Sequence, residues 1–116
     1  MTIFALSSGS GLSGVAIIRI SGREASNVIK ALTSKEIPKP RLATLRKINN
    51  INTSELIDEG IIIWFPGPES YTGEDMAEIH VHGSKAVVLS VQNEISKIEN
   101  CRLAEPGEFT KRAFQN

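Results

Sequence analysis

Residues 77 to 82, Ala77-Glu78-Ile79-His80-Val81-His82, alternate strictly between apolar and polar side chains. Successive side chains of an extended chain point to opposite faces, so Ala77, Ile79 and Val81 face one way and Glu78, His80 and His82 the other. The pattern predicts a strand buried on one side only. A carboxylate and two imidazoles in a row are costly unless that face is solvated or meets a ligand. The segment that launches the strand, Pro66-Gly67-Pro68-Glu69-Ser70-Tyr71-Thr72-Gly73-Glu74-Asp75, is rich in turn formers, and loops of this kind carry binding residues disproportionately. Residues 66 to 83 are therefore the candidate site.

Around this strand the chain reads as a mixed fold. Gly14-Val15-Ala16-Ile17-Ile18-Arg19-Ile20 is too apolar and too β-branched for a surface helix and predicts a central strand. Residues 2 to 6 predict another. Ser21 and Glu24 have capping-box spacing, and Ala25, Val28, Ile29 and Leu32 then recur at helical intervals, predicting an amphipathic helix over about 23 to 33. Pro38 and Pro40 end it. Residues 42 to 48 predict an edge strand, forming a hairpin with a buried strand at 58 to 65 across a turn-rich stretch. Ser84 is placed to cap a second long helix, with Val88, Val91, Ile95 and Ile98 on one stripe. Residues 102 to 104 predict a short strand, and Pro106 opens a helical turn with Phe109 and Ala113 on one side. From residue 14 the order is read as β, α, β, β, α, β. This is the ferredoxin-like, or split βαβ, order of an α/β (α+β) domain with two long helices, to which an N-terminal strand and a C-terminal helix start are added.

A chain of 116 residues accommodates one such domain. No stretch approaches the ~20 consecutive apolar residues of a membrane span, and Met1-Thr2-Ile3-Phe4-Ala5-Leu6 lacks the basic n-region of a secretory signal. A soluble, cytoplasmic protein without membrane contact is expected. Thirteen Lys and Arg balance thirteen Asp and Glu, so little nucleic-acid binding is expected of this domain alone. The local thickening at Lys35, Lys39, Arg41, Arg46 and Lys47 reads as solvated surface. Cys101, the only cysteine, excludes an internal disulfide and a multi-thiolate zinc site, and reads as a small buried hydrophobe.

Gly9-Ser10-Gly11-Leu12-Ser13-Gly14 has the letters of a dinucleotide-binding loop, but that chemistry needs a helix to follow, and here a strand is predicted. A turn allowing close backbone approach is the better account. No glycine precedes a lysine, so no phosphate-binding P-loop is encoded and this stretch of chain is not expected to hydrolyse GTP. Glu78, His80 and His82 could supply a carboxylate and two imidazoles to zinc or iron, or face a ligand, or serve structure alone. Glu78 in mid-strand requires donors, which a salt bridge would provide. Arg19 shares its strand face with Val15 and Ile17 and requires carboxylates or a ligand. The split order places both strands in one sheet, where the two charges could converge on a flat polar heterocycle: the carboxylate would accept the N–H groups of an amino-pyrimidinone edge, and the arginine would meet an anionic group.

The sequence resembles the N-terminal domain of the MnmE (TrmE) tRNA-modification GTPases. The likeness is carried by Thr2-Ile3-Phe4-Ala5, Gly14 to Gly22, Pro40-Arg41, Ile57-Asp58-Glu59-Gly60, Phe65 to Asp75, His82-Gly83 and Arg102 to Asn116, most specifically by Ser70-Tyr71-Thr72-Gly73-Glu74-Asp75 and Pro106-Gly107-Glu108-Phe109-Thr110-Lys111-Arg112-Ala113-Phe114. The resemblance implies the folate-binding fold of the glycine-cleavage aminomethyltransferase. It implies a site for a tetrahydrofolate derivative (5-formyl- or 5,10-methylene-tetrahydrofolate) whose contacts fall on Arg19 and Glu78. A third family contact, a basic residue just past the Arg-Ala-Phe-x-Asn block, lies beyond Asn116. The chain departs from the family at Ser84, where a second glycine is usual, and at His80.

Residues 1–116 then correspond to an N-terminal folate-binding and dimerisation domain. The G domain, with its GTP, magnesium and potassium, and a helical domain belong to the longer family proteins. The family acts with the flavin-dependent MnmG (GidA) partner to place an aminomethyl-type (carboxymethylaminomethyl) group at C5 of the wobble uridine of tRNA. A homodimer follows from the resemblance, and an N-terminal strand with an uncovered edge would favour it too. The alternatives are a dimerisation domain that binds no folate, and a small metal-binding enzyme using Glu78, His80 and His82.

Overall fold

The computed structural model describes residues 1–7 and 14–116. Its elements are β1 (Thr2–Leu6), β2 (Val15–Ser21), α1 (Ala25–Thr33), β3 (Thr44–Asn49), β4 (Leu56–Phe65), β5 (Met76–His82), α2 (Lys85–Ser96), β6 (Cys101–Leu103) and α3 (Glu108–Gln115). The glycine-rich run singled out above lies, apart from Gly14, outside the described residues.

The strands form one six-stranded sheet in the order β3-β4-β5-β2-β1-β6. All neighbours are antiparallel except β1 and β6. The mixed α/β class and the two long helices are as the sequence predicts, and β3 and β4 form the expected hairpin with β3 at the sheet edge. The chain carries one more strand than the split βαβ order, because β3, β4 and β5 all precede α2. The N-terminal strand is no edge either: β1 lies between β2 and β6, and the two edges are β3 and the three-residue β6.

Both long helices cover one face of the sheet. Phe4, Ile18, Ile20, Ile62, Ala77, Ile79 and Val81 meet Val28, Ile29 and Leu32 of α1 and Val88, Val91 and Ile95 of α2 in a single core. Burying an aliphatic side chain of this size contributes ~1.5–3 kcal/mol, so the helical stripes, rather than intrinsic propensity, hold α1 and α2 in place. The Ser84 hydroxyl accepts from the Val87 N–H at 3.2 Å and caps α2 as predicted. The predicted capping box of α1 does not form. Glu24 is the N-cap and makes no side-chain cap bond. Ser21 instead closes β2, and its hydroxyl is drawn to Thr72 and Glu74, each at 2.7 Å. Burial explains the diversion: Ser21 is wholly inaccessible to solvent, so its hydroxyl must take whatever buried partners surround it.

Among the described residues, the opposite face of β2, β3, β4 and β5 receives no long helix. Glu78, His80, Ile17, Ile61 and Ile63 on it are half-buried, while Val15, His82 and Leu45 are exposed. Gly60 lets β4 lie close to β5 here, since a Cβ at that position would sit 2.2 Å from the His80 carbonyl oxygen. Cys101 is half-buried against the core, and burial pushes its thiol pKa up. Among the described residues no helix is long and apolar enough to cross a membrane.

Candidate functional site

The ladder between β2 and β5 places Arg19 directly opposite Glu78, Ile17 opposite His80 and Val15 opposite His82. Arg19 Nε donates to Glu78 Oε2 at 3.1 Å. Glu78 Oε1 lies 2.9 Å from His80 Nε2. A carboxylate only accepts, so Nε2 carries the proton of this contact. Both predicted site residues are thus brought together, on the half-open face rather than in the core. The Arg19 and Glu78 side chains keep 38% and 15% of their accessible surface. Above them, Tyr71 of the loop between β4 and β5 sets its ring centroid 5.8 Å from the Arg19 guanidinium carbon, within cation–π reach.

The three polar residues of β5 do not act together. His82 turns away to Asp58 of β4, which accepts its Nδ1–H at 2.8 Å and its backbone N–H at 2.9 Å. Burial pushes the Asp58 carboxyl up, but the backbone and ring hydrogen bonds from His82 outweigh it and hold the pKa below the ordinary value. Among the described residues no three His, Cys, Asp or Glu side chains converge in a way that could hold a metal ion.

A cleft of about 380 Å³ opens beside Arg19, lined by Ala5 and Ser7 on the β1 side and by Pro106, Phe109 and Thr110 on the other. Its far wall is α3, fastened by charge. Arg102 forks onto Glu108 through two hydrogen bonds of 2.8 and 2.5 Å. These bonds from Arg102 hold the Glu108 carboxyl down at about 2, against the opposing effect of burial. Arg112 donates to Glu74 Oε1 at 2.9 Å and to the Met1 carbonyl at 2.7 Å.

The residue pattern pointed to Arg19, Glu78 and the loop containing Tyr71. It gave no indication that Asp58 captures His82 or that Arg112 reaches Glu74. Both lie in segments that carry the family resemblance, but no local spacing predicts either contact.

Chemically, the site offers a carboxylate whose two oxygens each retain a lone pair, a guanidinium bonded only through Nε among the described residues, an imidazole and an aromatic ring beside a cleft. The fold and this arrangement define a mixed α/β domain presenting a preformed carboxylate–guanidinium pair on an open sheet face. The family model described as GTP-binding protein TrmE N-terminus matches residues 2–116, and the chain belongs to that family.

Its relatives include proteins named tRNA modification GTPase MnmE from Pelagibacter ubique, 71% identical over 100% of this chain and 26% of that protein, and from Agrobacterium fabrum, 50% identical over 99% of this chain and 26% of that protein. The mitochondrial tRNA modification GTPase gtpbp3 of Dictyostelium discoideum is 51% identical over 99% of this chain and 24% of that protein. The chain spans about a quarter of the length of these curated relatives.

Proposed function

We propose that this domain binds a reduced folate on the β2/β5 face, with Glu78 and Arg19 as its principal contacts, and that it dimerises as the N-terminal part of a tRNA-modifying GTPase. The observation that carries the reading is the direct opposition of Arg19 and Glu78 beside an open cleft. In this reading the free lone pairs of Glu78 accept the two N–H groups of the pterin's amino-pyrimidinone edge. Arg19, through its terminal nitrogens, meets an oxygen or carboxylate of the same ligand. When bound, the folate supplies the one-carbon unit, and the protein's part is to orient it.

The family membership and the naming of the relatives support a part in tRNA modification by a GTPase. The finer reading follows the resemblance: action at the wobble uridine, GTP, magnesium and potassium used by a separate G domain, and a flavin-dependent MnmG partner. The apolar side chains left on the open face, among them Val15 and Leu45 at 54% and 58% exposure, support self-association.

A second reading, assembly without folate, is favoured by the fact that Arg19 and Glu78 already pair with one another. Isothermal titration with 5-formyltetrahydrofolate separates the two. Saturable binding abolished by Arg19→Ala supports the folate site, and absence of heat at millimolar ligand retires it.

A further inference from the structure

The two segments most specific to the family, residues 70–75 and 106–114, are one polar unit in space. We propose that Arg112 is a positioning residue for the Arg19/Glu78 site: it latches α3 onto the 70–74 loop and thereby fixes Tyr71 against Arg19. The consequence for folate rests on the reading above; the latch itself does not.

The first argument is what α3 lacks. It is an eight-residue helix with no buried residue, and its Phe114 is 88% exposed. Its Phe109 and Ala113 are only half-buried, so polar ties complete its docking, and Arg112 is their hub. Its side chain is only 15% exposed. One terminal nitrogen donates to Glu74 Oε1 at 2.9 Å and the other to the Met1 carbonyl at 2.7 Å, with Glu108 Oε2 a further 3.4 Å contact.

The second argument is the continuity of the network into the loop. Glu74 Oε1 also accepts the Ser21 hydroxyl proton at 2.7 Å, so Ser21 in turn accepts from Thr72 Oγ1. Ser21 and Thr72 are almost wholly inaccessible to solvent, which makes these bonds expensive to lose. At the C-cap of α3, one turn on from Arg112, the Asn116 amide donates to the Thr72 carbonyl at 2.9 Å. Gly73 makes that approach possible: it has φ +83°, and a Cβ there would stand 2.9 Å from Asn116 Cβ. Next to these two fastenings lies Tyr71, whose hydroxyl is 3.3 Å from Thr110 Oγ1 of α3 and whose ring covers Arg19.

The test is amide hydrogen exchange on wild type, Arg112→Gln and Gly73→Ala, with the Arg19 Nε–H resonance read by NMR against Tyr71→Leu. The expected result is that residues 108–116 and 70–75 lose protection together, by about tenfold or more, in both variants. The Arg19 resonance is expected to move toward its Tyr71→Leu position, a shift that a merely structural role for Arg112 would not produce. Loss of protection in α3 with residues 70–75 and the Arg19 resonance unchanged overturns the proposal. Should Arg112→Gln not fold, wild type at about 1 M salt carries the test, because the ties are ionic and screened there; paired loss supports the latch and unpaired loss overturns it. If wild type binds 5-formyltetrahydrofolate, Arg112→Gln is expected to weaken it about tenfold, and unchanged affinity overturns the positioning role. Coupled exchange in a protein that binds no folate upholds the latch and retires only the folate reading.

Discussion

Arg19 and Glu78 are register partners across the β2/β5 ladder, joined by a 3.1 Å hydrogen bond on the sheet face opposite α1 and α2. The Arg19 side chain keeps 38% of its accessible surface, and pairs screened by solvent in this way contribute only about 0–1 kcal/mol to stability. The pair is therefore a minor element of the fold and an available element of a site.

That difference in weight separates binding from structure in one variant. Glu78→Gln keeps the shape of the side chain and replaces one acceptor with a donor. Each charge-assisted bond to a ligand is worth about 1.5–3 kcal/mol, so 5-formyltetrahydrofolate affinity should fall ~10-fold or more while the melting temperature changes little. Melting and titration on the same sample check it. Wild-type affinity in a folded Glu78→Gln protein would sink the assignment.

Acid should loosen the α3 end of the domain over a defined window. Glu108 is lowered from the ordinary 4.5 to about 2 by its Arg102 hydrogen bonds. A depressed carboxylate contributes stability that is fully present above its unfolded value and is lost as pH falls through its folded value. The melting-temperature gap between wild type and Glu108→Gln should therefore be constant above about pH 4.5 and close as pH approaches 2. A gap that persists undiminished at pH 2 would contradict the assignment.

Glu94 anchors the turn between β3 and β4 from α2. It is 3% exposed, accepts from Lys97 Nζ at 2.7 Å and from the Ile51 N–H at 2.8 Å, and the Lys97 hydrogen bond leads the effects that hold its pKa below the ordinary value. Glu94→Ala strands the Ile51 N–H and should destabilise the domain by about 1–3 kcal/mol, measured by urea unfolding. Unchanged stability would mean that water replaces the carboxylate without cost.

Self-association is expected through the open face. Light scattering at tens of micromolar, about the range where moderate interfaces are populated, should report a dimer, and Leu45→Glu should shift it toward monomer. A wild type that stays monomeric throughout that range would count against the assembly.

The sequence alone determined what short-range periodicity controls. The alternation of Ala77 to His82 could bury only one face, and the stripes Val28-Ile29-Leu32 and Val88-Val91-Ile95 could only be core-facing helices; all are found so. The charged residues of the candidate site were legible because Arg19 and Glu78 each contradict an otherwise apolar or half-buried strand. Partnership was not legible. Arg19 and Glu78 are 59 residues apart, Ser21 and Thr72 are 51, and Arg112 meets Glu74 across 38. Such contacts depend on strand register and on where loops and helix ends come to rest, and a slip of one residue would turn each β-strand side chain to the other face. For the same reason Ser21 left its predicted capping box and His82 went to Asp58. Local spacing offers each polar side chain a partner, but a buried hydroxyl or carboxylate takes the partner that tertiary packing delivers, because leaving it unpaired costs more than any local preference returns.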